Sequence, residues 1–209
     1  GSLTLNSPLT SAVPLVKSGA GTLILTSASN AFTDINFNLG TVQADALNKL
    51  GSGNLNFFGG TLKFTGSFDP SSKTITLGTG GGTFDTNGET ITLAGSVGAG
   101  TGSLTKTGAG DLILNGASTY TGATSVLRGG LTLGHNSAIS TGNLTLESTL
   151  GAVTLDIGSQ TISLADLTTS GANTIAINGS GTINAANLNL GAATVQNTVI
   201  FGGSANLIK

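Results

Sequence analysis

The stretch "LTKTGAGDLILNGASTYTGATSVLRGGLTLG" (residues 104–134) has a partner upstream, "LVKSGAGTLILTSASNAFT" (residues 15–33). Lys17 and Lys106 lie 89 residues apart (106 − 17 = 89). The same offset pairs Gly19-Ala20-Gly21 with Gly108-Ala109-Gly110, and Leu23-Ile24-Leu25 with Leu112-Ile113-Leu114. It also carries "SGNLNF" (52–57) onto "TGNLTL" (141–146). A second echo, at an offset of 71, relates "TFDTNGETITLAG" (83–95) to "TLDIGSQTISLAD" (154–166). Internal repetition of this kind is the mark of stacked units, each facing a near-identical neighbour.

The segments between the echoes read as short strands. "TLIL" (22–25), "TLKF" (61–64), "TITL" (74–77 and 90–93), "DLIL" (111–114), "GLTL" (130–133), "NLTL" (143–146), "VTLDI" (153–157), "TISL" (161–164), "TIAI" (174–177) and "NLNL" (187–190) all alternate apolar and polar residues. Period-two alternation in Thr, Ile, Val and Leu is the strand signature. It predicts that Leu112, Leu114, Leu131, Leu133, Ile162 and Leu164 point inward and Ile113 outward. "VQADALNKL" (42–50) has Ala44, Leu47 and Leu50 at helical spacing, which predicts one or two helical turns ending at Gly51. Copies of strands favour stacked coils over a sandwich. The fold expected is an all-β parallel β-helix, with inward aliphatic columns, outward Thr and Asn ladders, and glycine at the corners. At roughly 20–25 residues per coil, the chain makes about eight to ten coils and a rod on the order of 40–50 Å long. In this picture Gly108-Ala109-Gly110 is a corner, and Lys17 and Lys106 ahead of it project into solvent.

Composition limits the functions available. Of 209 residues, 8% are charged, 34 are Gly, none is Cys, and the net charge is −2. A disulfide framework and thiolate metal sites are excluded. The seven basic residues are scattered, so no nucleic-acid footprint exists. No apolar run is long enough for a transmembrane helix. The only His, His135, would have to serve any Ser/His/Asp site, and no Gly-x-Ser-x-Gly elbow accompanies it. Asp85 and Asp156 hold equivalent places in the 71-residue echo, about three coils apart, and read as turn or cap residues. "GTGGGTFDTNGE" (78–89) resembles a glycine-rich calcium repeat but has Thr83 in place of its third glycine. Phe57 and Phe58 are adjacent, so one of the two rings faces outward. No catalytic, cofactor-binding or metal site is expected.

The stretch from Leu104 resembles the passenger-associated transport repeat of Gram-negative autotransporters. The matching positions are Leu104, Lys106, Gly108, Gly110, Leu112, Leu114, Thr119, Tyr120, Thr121, Gly122, Thr124, Val126, Gly130 and Leu131. The copy from Leu15 follows the pattern to Leu25 and then departs, with Phe32-Thr33-Asp34 where Tyr-Thr-Gly is expected. The resemblance implies a right-handed parallel β-helix at the cell surface or secreted, exported across the outer membrane. It also implies a signal peptide and an outer-membrane barrel elsewhere in the same polypeptide. Residues 1–209 then form one β-helical passenger fragment with repeat copies near 15–57 and 104–146. The expected function is a non-catalytic stalk and adhesion module, with a host-cell receptor or matrix, or other passengers, as partner. A polysaccharide-acting enzyme on the same scaffold, or a secreted receptor-binding effector, is the alternative.

Overall fold

The computed structural model describes residues 1–191, 193–195, 199–202 and 206–208. Among them every strand pairing is parallel, and three sheets form. A 12-stranded sheet runs from Ser2–Leu5 and Thr22–Leu25, through Thr61–Phe64, Gly82–Asp85, Leu104–Thr107, Thr124–Val126 and Leu144–Glu147, to Thr161–Ser170, Thr182–Asn189 and Asn206–Ile208. A first short sheet of four strands contains Leu15–Lys17, Ile35–Phe37, Leu55–Phe57 and Ile75–Leu77. A second short sheet of six contains Ile91–Leu93, Asp111–Leu114, Gly129–Leu133, Val153–Asp156, Ile175–Asn178 and Ala193–Val195. Ile75–Leu77, Gly82–Asp85 and Ile91–Leu93 follow one another in the chain yet belong to three different sheets. One coil therefore has three faces.

Each strand pairs with its equivalent one coil later, in steps from 18 residues (Thr182 to Ile200) to 24 (Leu131 to Leu155). The result is a β-solenoid of about ten turns, as the repetition predicts. Most strands are only three or four residues long. They are held because their backbone groups bond to the coils on either side.

Side chains stack in columns set by this register. On the long sheet, Leu23, Val42, Leu62, Phe84, Lys106, Val126 and Leu146 occupy one inward column. On the first short sheet, Lys17, Phe37, Phe57 and Leu77 do the same. The Phe37 and Phe57 rings stack 4.2 Å apart at an interplanar angle of 7°, and Phe84 meets Phe57 at 5.3 Å. Leu112, Leu114, Leu131, Leu133, Ile162 and Leu164 are all buried, and Ile113 is half-buried on the outer side. Outward, a column of hydroxyls runs from Ser2 and Thr22 through Thr83 and Thr105 to Thr145 and Thr168. Thr suits such a column because its branched side chain is stiff and packs well on a pleated face. On the first short sheet the Asn56 amide donates to Asn36 Oδ1 at 3.1 Å.

Two expectations are corrected. Residues 42–50 do not begin as a helix: Thr41–Ala44 is a strand with Val42 and Ala44 inward, and only Leu47–Lys49 makes a single 3-10 turn. The coil needs a rung between Thr22–Leu25 and Thr61–Phe64, and that pairing overrides local helical spacing. The 71-residue echo is not a whole number of coils, because Asp85 lies on the long sheet and Asp156 on the second short sheet. Although the first copy's motif residues depart after Leu25, its strand layout continues, with Ile35–Phe37 standing where Thr124–Val126 stands in the second, each with two buried residues flanking a half-buried one.

The 89-residue echo likewise changes face. The first copy turns from the first short sheet into the long sheet, and the second turns from the long sheet into the second short sheet. The echo thus keeps the order of strands and corners, Leu15–Lys17 to Thr41–Ala44 against Leu104–Thr107 to Gly129–Leu133, while shifting it by one face. Replacing Phe57 by Ala should cost about 3–5 kcal/mol in denaturant titration, since it empties a stacked core position. Phe58→Ala, whose ring is 47% exposed, should cost under about 1 kcal/mol. Equal losses would contradict the inward phase of Leu55–Phe57.

Candidate functional site

The two repeat copies share more than outline. Lys106 Nζ donates to the carbonyls of Thr107, Gly108 and Arg128, each at 2.9 Å. Lys17 Nζ donates to Gly19 O at 2.6 Å, Leu39 O at 3.0 Å and Ser18 O at 3.5 Å. Residue by residue these are the same acceptors 89 positions apart. The corner glycines also match, with φ of 85° at Gly19 and 83° at Gly108. That left-handed backbone is open to glycine without steric cost.

Both lysines are buried, Lys106 completely, so the expectation that they project into solvent is overturned. Leu104 and Lys106 are two residues apart on one strand and therefore face the same way, inward. The corner turns three carbonyl oxygens toward one point, and an ammonium offers three donors and no acceptor. Burial pulls the Lys106 ammonium down to about 8, Asp111 and Asp85 pull it back up, and Arg128 adds to the fall. It is still mainly charged at neutral pH. Neighbouring coils meet the same need with smaller side chains: Thr86 Oγ1 donates to Thr107 O at 3.2 Å, and Ser148 Oγ to Asn173 O at 2.7 Å.

The other singled-out residues are occupied by local structure. The Tyr120 hydroxyl lies 2.7 Å from Thr124 Oγ1, and burial pushes its pKa up to about 12. Asp85 Oδ1 accepts from Asn87 N–H at 3.0 Å, and Asp156 Oδ1 from Gly158 N–H at 2.8 Å. Both are turn caps, as expected. His135 is exposed, and its Nδ1 accepts from Ser137 N–H at 2.9 Å. Of the adjacent phenylalanines, Phe57 is buried and Phe58 is the exposed ring. Among the described residues no group of three or more His, Asp or Glu gathers where a metal could sit.

One concavity stands apart from these corners. A crevice of about 410 Å³ opens between residues 118–120, 136–141 and 161–163, and no charged side chain lines it. It forms where the coil steps are long, 24 residues from Leu131 to Leu155 and 23 from Leu144 to Leu167. A side chain replaces a backbone rung there, with Asn136 Oδ1 accepting from Thr161 N–H at 2.9 Å. Sequence reasoning missed both features. The period-two phase of Leu104 and Lys106 carried the signal for the buried lysine; the crevice joins three distant segments and left none.

The Passenger-associated-transport-repeat family matches residues 15–44 and 104–133, each a run of four strands that begins with a lysine corner. The chain is also 40% identical, over 123 residues, to the Adhesin BmaC autotransporter of Brucella suis biovar 1 (strain 1330). That alignment spans 53% of this chain and 4% of the adhesin's length. No solved structure gives a significant match. Both findings support an autotransporter passenger domain.

Replacing Lys106 by Met keeps the stem and removes the donors. It should destabilise the chain by about 2–4 kcal/mol, because the Gly108 and Arg128 carbonyls lose their donor in a dry site. Lys63→Met, on the outer side of the long sheet, should stay within about 0.5 kcal/mol. Thermal and denaturant unfolding of the two variants decide the matter; an unaffected Lys106→Met protein would contradict the buried corner.

Proposed function

We propose that this chain is a surface-exposed or secreted passenger segment that acts as a non-catalytic stalk and adhesion module, carried by an outer-membrane barrel of the same polypeptide. Its partner is a host-cell receptor or matrix. The observation that carries this reading is the outer surface of the long sheet, where a hydroxyl column runs from Ser2 to Thr168. Such a face offers both donors and acceptors at one rung per coil, about 4.8 Å apart. It suits extended polar contact better than a reaction at one point. The identity with an autotransporter adhesin supports the same reading, and so does the engagement of Asp85 and Asp156 in turns.

The test is gain of function. Bacteria displaying the chain on a heterologous autotransporter barrel should adhere to host cells or matrix several-fold better than bacteria displaying the barrel alone. Soluble chain should compete that adherence away. Surface display without any gain in adherence would reject the adhesive role.

A further inference from the structure

The crevice between residues 118–120, 136–141 and 161–163 is built rather than accidental. Its walls are fixed by hydrogen bonds that leave the interior free. Ser118 Oγ donates to Ala138 O at 2.7 Å, Ser140 Oγ donates to Gly122 O at 2.5 Å, and Asn136 Oδ1 holds Thr161 N–H. Buried Ile139 and Ile162 form an apolar floor. Around that floor stand Thr119, Ser137, Thr141, Thr161 and Ser163, all exposed. Among the described residues, the hydroxyls of these five and the Asn136 Nδ2 amide have no hydrogen-bond partner.

We propose that this crevice binds a neutral saccharide of one or two rings. Five free hydroxyls and one free amide supply donors and acceptors together, which matches a polyol and no single-sign ion. The lining carries no charge to pair with a phosphate, sulfate, carboxylate or amine. The aliphatic floor fits the C–H face of a pyranose. The volume, about 410 Å³, falls in the range of small-molecule sites. Walls already held by their own hydrogen bonds lose little freedom on binding, which favours a small ligand. The assignment deepens the adhesion reading and rests on it for its biological purpose.

Backbone amide shifts of the chain in the presence of cellobiose, lactose and maltose, with glucuronate for comparison, test it. At least one neutral disaccharide should shift amides of residues 118–120, 136–141 and 161–163 saturably at millimolar concentration, and more strongly than glucuronate. Thr141→Arg and Ser163→Arg should each raise the Kd about tenfold or more, while Thr92→Arg, exposed on the second short sheet, leaves it unchanged. All three variants should keep the wild-type unfolding midpoint; because Thr141 and Ser163 lie on separate segments, one folded crevice variant suffices. No saturable shift with any neutral sugar, equal shifts with glucuronate, shifts scattered over the surface, or an unchanged Kd in the crevice variants would overturn the site. Adherence without sugar binding would count against the crevice alone, and sugar binding without adherence against the adhesive role alone.

Discussion

At two of its corners this chain is held by the ammonium of a buried lysine shared among three backbone carbonyls. A triangular coil must bend its backbone sharply and often, and each bend points oxygens away from the neighbouring strand. Left dry and unpaired, such groups cost on the order of 1–3 kcal/mol each. Lys106 answers three at once, and its third bond reaches Arg128 in the following coil. Lys17 does the same through Leu39. The corner is therefore complete only when two successive coils are in place, which ties the local bend to the stacking. Other corners close through smaller donors such as Thr86 and Ser148, and strand pairing, the aliphatic columns and the outward hydroxyls presuppose coils closed by one means or the other.

Many strands were legible from alternating apolar residues, as in Asp111–Leu114 or Thr61–Phe64. Ile35–Phe37, where the same alternation stands alone between polar stretches, was passed over, and Thr41–Ala44 was read as the start of a helix because Ala44 stands in for a larger side chain. Repetition disclosed a solenoid but not how its copies are placed. Two stretches 89 residues apart look like stacked coils on paper, yet Leu23 stacks toward Lys106 while Leu112 lies on another face. The lysines were misplaced because a lone positive charge is ordinarily an outer residue, and the acceptors that bring it inside are backbone atoms with no letter in the sequence. The crevice was invisible for a related reason. Its walls come from residues such as Ser118 and Ser163, whose proximity depends on how many residues each coil takes.

Because the unit keeps its order of strands and corners while shifting by one face, its lysine corner can serve at either edge of the long sheet. At the first copy it leads into that sheet from Leu15–Lys17, and at the second it leads out toward Asp111–Leu114. Only the corner geometry needs keeping, which Gly19 and Gly108 preserve at nearly the same φ. The residues between corners are then free to vary in length, and steps of 18 to 24 residues are accommodated. Where the steps are long, the spare residues line a hollow instead of lengthening a strand. The same tolerance that lets the solenoid drift in period thus creates its crevice of uncharged hydroxyls.

The parallel ladders have a mechanical meaning. Strands lie across the rod and their hydrogen bonds run along it, so a pull on the two ends strains the bonds between neighbouring coils one row at a time. A solenoid of this design would pay out chain coil by coil rather than rupture in one event. The corner lysines, each fastened to the next coil, would act as stops along that path. Load at a contact would be relieved by a short length of released polypeptide, and restacking onto the remaining coils would recover it when the tension fell.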